Sequence, residues 1–256
     1  MLSESLATER PVDVEPAVTA ADREISAQAR SVADLDRVLD RLARRGSVAG
    51  GTLLDLGCGV GGLAGYIGGR LGLTELIGVD LDEDRLKAAA AAGIRPLRLN
   101  LNHDPLPLAS GSVRVVTCFG LLAYLRLYDN TLSEAARVLE DGGRLLLSMP
   151  NLGSYANRLA LLLGYQPLSV AVSRYRLAGT IGRRRDPDTS SNMPPLLHGA
   201  TLRCMREVLD AYGLDVEVVR GFAPGPRRKP VVDGLTSHFP ALSRRFLILA
   251  RKRAAA

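Results

Sequence analysis

The sequence predicts an α/β fold in which a doubly wound, mostly parallel sheet carries helices on both faces. Three observations predict it. Short apolar segments alternate with amphipathic segments between residues 52 and 149. The first apolar segment runs into the glycine-rich stretch Gly57–Gly62, and the second ends at an acid, Asp80. Because ligands of such sheets bind at the carboxyl ends of the strands, we expect the functional site where these two segments end.

The chain divides into a polar arm at residues 1–21, which we expect to be mobile, and a single domain at residues 22–256. Apolar residues at three- and four-residue steps predict an N-terminal amphipathic helix over residues 22–45, which Gly46 ends. Strands are predicted at 52–56, 75–80, 94–99, 112–119, 144–149, 214–219 and 245–250, with helices at 63–71, 83–92, 132–139 and 201–212.

Residues 150–200 break this alternation. A short helix is predicted at 157–163, and the basic run Arg183–Arg185 and several prolines follow it. Insertions of this kind often form a lid or a substrate-binding element, so we expect residues 150–200 to lie over the ligand pocket.

The composition excludes several classes of protein. A chain of 256 residues can bury a sizeable core without disulfides or metals, and its composition is not that of collagen, a coiled coil or a disordered chain. Three cysteines without a CxxC spacing argue against a disulfide framework and a zinc site, and fit a reducing, cytoplasmic setting. We expect neither a secretory signal nor a membrane span, because no apolar run approaches the length that either needs.

The positive charge is unevenly distributed. Residues 1–149 have a net charge of −4 and residues 150–256 one of +10. A basic face in the second stretch fits a phosphate, an anionic substrate or a membrane surface, and it equally fits a solvated arginine-rich surface. Nucleic acid is disfavoured as a partner, because aromatic residues make up only 4% of the chain and tryptophan is absent.

The stretch LLDLGCGVGG places a buried strand, a run of glycines and a helix N-terminus in succession. Such glycines let the backbone approach a ligand closely, and the helix N-terminus offers N–H donors. Gly57, Gly59 and Gly62 satisfy the dinucleotide pattern GxGxxG, with a ribose-binding acid at Asp80, 18 residues beyond Gly62. However, Asp55 lies two residues before the first glycine, where an anion favours a cationic ligand and disfavours a pyrophosphate.

The same stretch and its neighbours resemble class I S-adenosylmethionine-dependent methyltransferases over residues 50–220. LLDLGCGVGGLA is similar to their first motif, and VDLDEDRL at 79–86 is similar to their second strand with its ribose acid. Residues 99–125, 132–151 and 198–219 resemble later strands and helices of the family. The resemblance implies S-adenosyl-L-methionine as cofactor, S-adenosyl-L-homocysteine as product, and a seven-stranded sheet whose last strand is antiparallel and inserted near the edge.

The resemblance also implies which residues contact the cofactor. The acid of the first strand lies near its methionine portion, the glycines surround it, and the acid that ends the second strand holds the ribose. The segment after the third strand lies near the adenine, and the end of the fourth lies near the sulfonium. We interpret Cys58 as a small filler of the loop rather than a nucleophile. The implied set is Asp55, Leu56, Gly57, Cys58, Gly59, Gly61, Asp80, Leu81, Asn100, Leu101, Asn102, Phe119, Gly120 and Leu121.

The sequence departs from the family pattern at three places. Arg114 stands where an aspartate is usual, and Asn100 and Asn102 stand where an acid commonly contacts the adenine amino group. An asparagine carbonyl can still accept that hydrogen bond. Ala123 and Tyr124 replace a frequent Glu-His pair. These departures bear on the identity of the acceptor and on whether the protein is catalytically competent. They bear less on the fold.

No residue is identified as catalytic, because methyl transfer needs positioning more than it needs an acid or a base. Three histidines lie scattered without a paired carboxylate motif, so we predict no metal site. The candidates for a direct chemical role are Tyr124, His103 and His198, and the acceptor pocket is expected to draw on Tyr124, Asn151, Tyr155 and the 155–200 region.

These observations favour methyl transfer to a small-molecule or lipid-linked acceptor by in-line displacement, with oxygen the preferred acceptor atom. The basic second stretch also fits an anionic acceptor. Three alternatives stay open: a catalytically silent cofactor-binding protein, a nucleic-acid methyltransferase and a dinucleotide-dependent oxidoreductase. The apolar helix near residue 160, which lies beside arginines, is also compatible with contact with a membrane surface.

Overall fold

A computed structural model describes residues 32–44, 48–167, 170, 179–180, 199–222 and 238–254. The expected mobile arm at 1–21, the candidate His198 and the basic run Arg183–Arg185 lie outside the described residues. So do most of the expected lid and the first part of the expected N-terminal helix.

Seven strands form one sheet in the order β3-β2-β1-β4-β5-β7-β6. Strands β1 to β5 pair in parallel, whereas β7 is antiparallel to both of its neighbours, β5 and β6. This confirms the predicted doubly wound sheet and the antiparallel last strand one place from the edge. The bounds are β1 Thr52–Leu56, β2 Glu75–Asp80, β3 Arg95–Arg98, β4 Val113–Phe119, β5 Leu139–Pro150, β6 Leu214–Phe222 and β7 Arg245–Lys252.

Helices cover both faces of the sheet, as predicted. Alternate residues of β5 show this, because Leu145 and Leu147 belong to one buried cluster and Leu146 belongs to the other. Fully burying each such leucine contributes about 1.5–3 kcal/mol to folding. The helices are α1 Val32–Arg44, α2 Gly62–Leu71, α3 Glu83–Ala91, α4 Asp129–Val138, α5 Tyr155–Leu162 and α6 Leu202–Ala211, with a 3-10 turn at Leu121–Tyr124.

Helix α1 packs on α2 through apolar residues that include Leu39 and Ile67. Polar contacts line the same contact surface. The Tyr66 hydroxyl donates to Asp36, and the guanidinium of Arg70 lies 2.6 Å from a carboxylate oxygen of Asp40. The described part of the expected N-terminal helix is therefore part of the folded domain.

Two strands differ from their predicted bounds by three residues or more, and β3, β4 and β7 differ by one or two residues at an end. Strand β5 begins at Leu139 rather than Arg144, because residues 140–143, which the sequence indicates as a turn, form an irregularity within the strand rather than a break before it. Strand β6 continues beyond Val219 to Phe222, since β7 pairs with it as far as Arg245.

The substitution at Arg114 has a structural explanation. The residue lies near the start of β4, at the opposite edge from the expected site. Its Nε donates to Glu140 at 2.8 Å and its Nη1 donates to the Ala49 carbonyl at 3.0 Å, while its side chain lies over Gly51. Arg114 therefore ties β4 to β5 and to the segment before β1, away from the expected ligand.

None of the helices within the described residues combines the length and the apolar character needed to cross a membrane.

Substitution of Gly61 tests the packing between the glycine loop and the helix behind it. Gly61 has φ +84°, and a Cβ there would collide with Ile94. Gly93 has φ +82° with open space around it, so Gly93→Ala measures backbone strain alone. We expect Gly93→Ala to cost about 1–2 kcal/mol of unfolding free energy and Gly61→Ala about 2–4 kcal/mol, measured by urea unfolding. Adding Ile94→Val to Gly61→Ala should recover part of the difference; equal losses for the two alanine variants would contradict this packing role.

Candidate ligand site at the carboxyl edge of the sheet

The glycine loop connects β1 to α2 at the carboxyl edge of the sheet. The amides of Gly57 and Cys58 both donate to the Val79 carbonyl, at 2.8 and 2.9 Å, which holds the loop against the end of β2. Gly57, Gly59 and Gly61 have φ of +77°, +55° and +84°, a region that glycine enters at little cost. Gly62 instead opens α2 without a positive φ. The left-handed positions thus alternate as GxGxG.

The carboxylate of Asp80 bridges the ends of β1 and β2. Its Oδ2 accepts from the Gly59 amide at 2.9 Å, and its Oδ1 accepts from the Leu81 and Asp82 amides at 2.7 and 3.0 Å. A carboxylate has about four lone-pair positions, so Oδ2 has a second acceptor position besides the one that Gly59 uses. The bond to Gly59 places that position directly beside the glycine loop.

Asp55 lies inside the sheet below the loop and is only 3% exposed. The Thr117 hydroxyl, opposite it on β4, donates to its Oδ1 at 2.6 Å. Burial, and then the charge of Asp55, raise the pKa of the neighbouring Cys118 thiol above its usual range. A carboxyl group therefore lies on the interior side of the loop, and Cys118 is kept as a thiol rather than a nucleophilic thiolate.

Cys58 fills space within the loop. It is buried, and a Cβ added to Gly78 would lie 2.6 Å from its Sγ. The small residue at each of these positions permits the close approach of the loop to β2.

The loop after β3 is organised by its own polar side chains. Both the amide N–H and the Nδ2 of Asn102 donate to the Asn100 Oδ1, at 3.2 and 3.0 Å, and the Asn102 Oδ1 accepts from the Arg126 amide at 2.8 Å. The Asp104 carboxylate accepts from the Asn100 amide at 2.7 Å and contacts the His103 ring at 2.8 Å. These hydrogen bonds hold the pKa of Asp104 below its usual value, and the bond from the Asn100 amide has the largest effect.

The sequence analysis did not identify Asp104 as the residue that holds this loop. The signal that could have indicated it is an acid four residues after Asn100. His103, in contrast, is 67% exposed on its side chain and pairs with Asp104, so it forms part of the loop surface.

The turn after β4 lies over the glycine loop and covers the site on that side. Gly120, with φ +77°, donates its amide to the Ser148 carbonyl at 2.7 Å. The next residue, Leu121, covers the glycine loop, because a Cβ added to Gly57 would lie 3.1 Å from the Cβ of Leu121. The structure thus brings together the ends of β1, β2 and β4, as the sequence predicts for a site at this edge.

Tyr124 ends this turn and is half-buried. Burial raises the pKa of its phenol, while the positive charges of Arg245 and Arg85 oppose that rise. The phenol therefore keeps its proton at neutral pH. Arg245 was missed by sequence reasoning, and it lies more than 100 residues away along the chain.

The other two expected acceptor residues differ in their surroundings. Asn151 is fully buried, and its Nδ2 donates to the carbonyls of Ala241 and Ser243 at 3.0 and 2.8 Å. Its Oδ1 accepts from the Gly153 amide at 2.9 Å, so the side chain holds the fold and we leave it out of the proposed pocket. Tyr155 is partly exposed, with its ring centroid 6.0 Å from the Arg244 Cζ.

A metal site finds no support in the described part of the chain, where no three His, Cys, Asp or Glu side chains gather in a way that would hold an ion.

Comparison with known proteins agrees with this geometry. Residues 54–147 match the family model described as a methyltransferase domain. That segment supplies the glycine loop, Asp80, the Asn100–Asp104 loop and the turn after β4.

Curated relatives match over part of their length. The chain is 32% identical over 129 residues to a ubiquinone biosynthesis O-methyltransferase of Xanthomonas oryzae, covering 48% of this chain and 53% of that protein. It is 37% identical over 117 residues to a probable S-adenosylmethionine-dependent methyltransferase of Mycolicibacterium smegmatis, covering 44% of this chain and 43% of that one. The chain thus spans about half the length of the curated relatives it matches.

Among solved structures, an S-adenosylmethionine-dependent methyltransferase from Mesorhizobium loti aligns with a TM-score of 0.58. The alignment covers 84% of this chain and 96% of that one at 22% identity, and so shows a shared fold.

The hydroxyl of Thr117 tests the burial of the anion below the loop. Thr117→Val removes the donor to Asp55 but keeps the shape, and we expect it to cost about 1–3 kcal/mol of unfolding free energy at pH 7. Thr117→Ser keeps the hydroxyl and is the matched control, with a smaller expected loss. Urea unfolding of both variants gives the answer, and a loss for Thr117→Ser as large as that for Thr117→Val would argue against the hydrogen bond as the cause.

Proposed function

We propose that this chain, whose residues 54–147 form a methyltransferase domain of the class I S-adenosylmethionine-dependent fold, binds S-adenosyl-L-methionine and methylates an oxygen of a small-molecule acceptor. The observation that carries the proposal is the alternating left-handed glycines beside Asp80. Further support comes from the Xanthomonas oryzae relative, which is named an O-methyltransferase.

The residues around the loop fit this cofactor. Asp80 offers its remaining lone-pair position to a ribose hydroxyl, and the buried anion at Asp55 favours the cationic methionine end. Asn100 and Asn102 organise the edge where the adenine is proposed to lie. Leu121 covers the loop with an apolar surface. The proposed contacts also include Leu56, Gly57, Cys58, Gly59, Gly61, Leu81, Leu101, Phe119 and Gly120.

When bound, the cofactor supplies an electrophilic methyl group on a sulfonium and departs as S-adenosyl-L-homocysteine. The chain's own contribution is to hold the acceptor oxygen in line with the carbon–sulfur bond and to exclude water. This positioning lowers the activation barrier of methyl transfer through proximity and orientation. Tyr124 keeps its proton, so we assign it the role of orienting the acceptor by donating a hydrogen bond, with the acceptor's proton passing to solvent. His103 and His198 stay predictions for a base, and His198 lies outside the described residues.

The sheet weighs against a dinucleotide-dependent oxidoreductase. Dinucleotide-binding sheets commonly run 3-2-1-4-5-6 with parallel strands, whereas here an antiparallel β7 stands between β5 and β6. The negative charge of Asp55 also disfavours a pyrophosphate. A catalytically silent cofactor-binding protein is the second candidate, since Ala123 and Tyr124 depart from the family's Glu-His pair.

The acceptor is proposed to enter over the turn after β4. Residues 22–256 are proposed to form one domain, and most of residues 150–200, the expected cover over this entrance, lie outside the described residues. The exposed leucines at the end of α5 and just after it, Leu159, Leu161, Leu162 and Leu163, favour an apolar or lipid-linked acceptor. Nucleic acid is left out, given the few aromatic residues, and a cytoplasmic setting stays a prediction.

Calorimetric titration with S-adenosyl-L-homocysteine, NAD and NADP tests the cofactor. We expect binding of S-adenosyl-L-homocysteine alone, with a Kd of about micromolar order. Asp80→Asn removes the charged acceptor and should weaken this binding by about tenfold or more. Asp82→Asn is the matched control, because asparagine caps α3 as well as aspartate does, and its Kd should stay within about twofold of the original. Binding of only a dinucleotide, or an unchanged Kd in a folded Asp80→Asn variant, would refute the assignment.

A further inference from the structure

Arg245 reaches the site from the other end of the sequence. It is the first residue of β7, where it pairs with Pro150 of β5 and Phe222 of β6 at the carboxyl edge of the parallel strands. Its guanidinium extends back across β5, so that Nη2 lies 3.5 Å from where a Cβ on Gly120 would stand. Since neighbouring strands lie about 4.8 Å apart, this side chain spans two strand positions to reach the end of β4.

The side chain of Arg245 is partly buried. Burial lowers the pKa of Arg245, while the neighbouring Tyr124 raises it. Arginine stays charged under all ordinary conditions, so the cation persists there. Charged groups with shifted pKa values gather at functional sites.

Arg245 and Tyr124 both carry groups that can donate a hydrogen bond to an anion. The phenol lies in the field of Arg245 on the sheet side and of Arg85 on α3, and it stays protonated. The turn that carries it also carries Leu121, which covers the glycine loop. A cation and a hydroxyl donor thus converge beside the place where the methyl group is proposed to be presented.

We propose that Arg245 recognises a carboxylate on the methyl acceptor, and that Tyr124 donates a hydrogen bond to the same ligand. A guanidinium presents its N–H groups as a planar fork, which matches a carboxylate bidentately. The acceptor class is then a hydroxy acid, whether small or lipid-linked. This inference rests on the proposed function and narrows its acceptor.

The preceding residue, Arg244, provides the matched comparison. It is exposed and lies beside the ring of Tyr155 rather than at Gly120. Loss of its charge changes the net charge of the protein by the same amount as loss of Arg245, but removes no donor from the proposed acceptor position.

The test titrates the protein, saturated with S-adenosyl-L-homocysteine, with 4-hydroxybenzoate and with its methyl ester. The original protein should bind the acid at least about tenfold more tightly than the ester. Arg245→Gln should abolish that preference, and Arg244→Gln should retain it. Arg245→Lys keeps the charge without the fork, so its preference should fall several-fold while the Kd for S-adenosyl-L-homocysteine is unchanged; it decides the matter if Arg245→Gln does not fold.

Each outcome has one meaning. No binding of either probe, no preference in the original protein, or an undiminished preference in both Arg245 variants would overturn the inference. The saturation step separates it from the proposed function. If S-adenosyl-L-homocysteine binds and the acid preference is absent, only the carboxylate assignment fails. If S-adenosyl-L-homocysteine does not bind, the proposed function fails, and the same probes titrated into the ligand-free protein still judge Arg245.

Discussion

The hydrogen bond from the Gly59 amide to the Asp80 carboxylate is the contact on which the site depends. It joins the loop after β1 to the end of β2, two segments that the parallel register already aligns through Leu56 and Val79. The Val79 carbonyl reinforces it by accepting two loop amides. A loop held at both of these points keeps its glycines in their left-handed conformations. The glycine loop and Asp80, which together form a cradle for a ligand, are therefore in place before any ligand arrives.

The charges around this cradle are divided between its two sides. Asp55 and Asp80 lie on the β1 and β2 side, whereas Arg245 reaches the end of β4 from β7. A ligand pair with a cationic centre on one side and an anion on the other would find complementary potential at both ends. The phenol of Tyr124 is protonated and lies in the field of both Arg245 and Arg85.

Much of this arrangement follows from local sequence. Apolar runs and their breaks predict the strands, and the glycine spacing with Asp80 predicts the cradle, because both depend on neighbours in the chain. The antiparallel β7 came only from the family resemblance. Residues 140–143 indicate a turn but lie within β5, since pairing with β4 resumes after the irregularity. Asn151 follows a strand end as a ligand residue does, yet its amide is used within the fold, and Arg245 gave no local signal because its position depends on strand order alone.

The place of β7 in the sheet also sets the order in which a chain leaving the ribosome can assemble. Strands β1 to β5 pair with one another directly, so the five-stranded half is complete once residue 150 has emerged. Strand β6 pairs only with β7 and has no place in the sheet until residues 245–252 have followed. Pairing over such a separation is slow because its loop-closure entropy must be met first. The residues of the glycine loop therefore leave the ribosome well before Arg245 does, so the two halves of the site become available for assembly at different times.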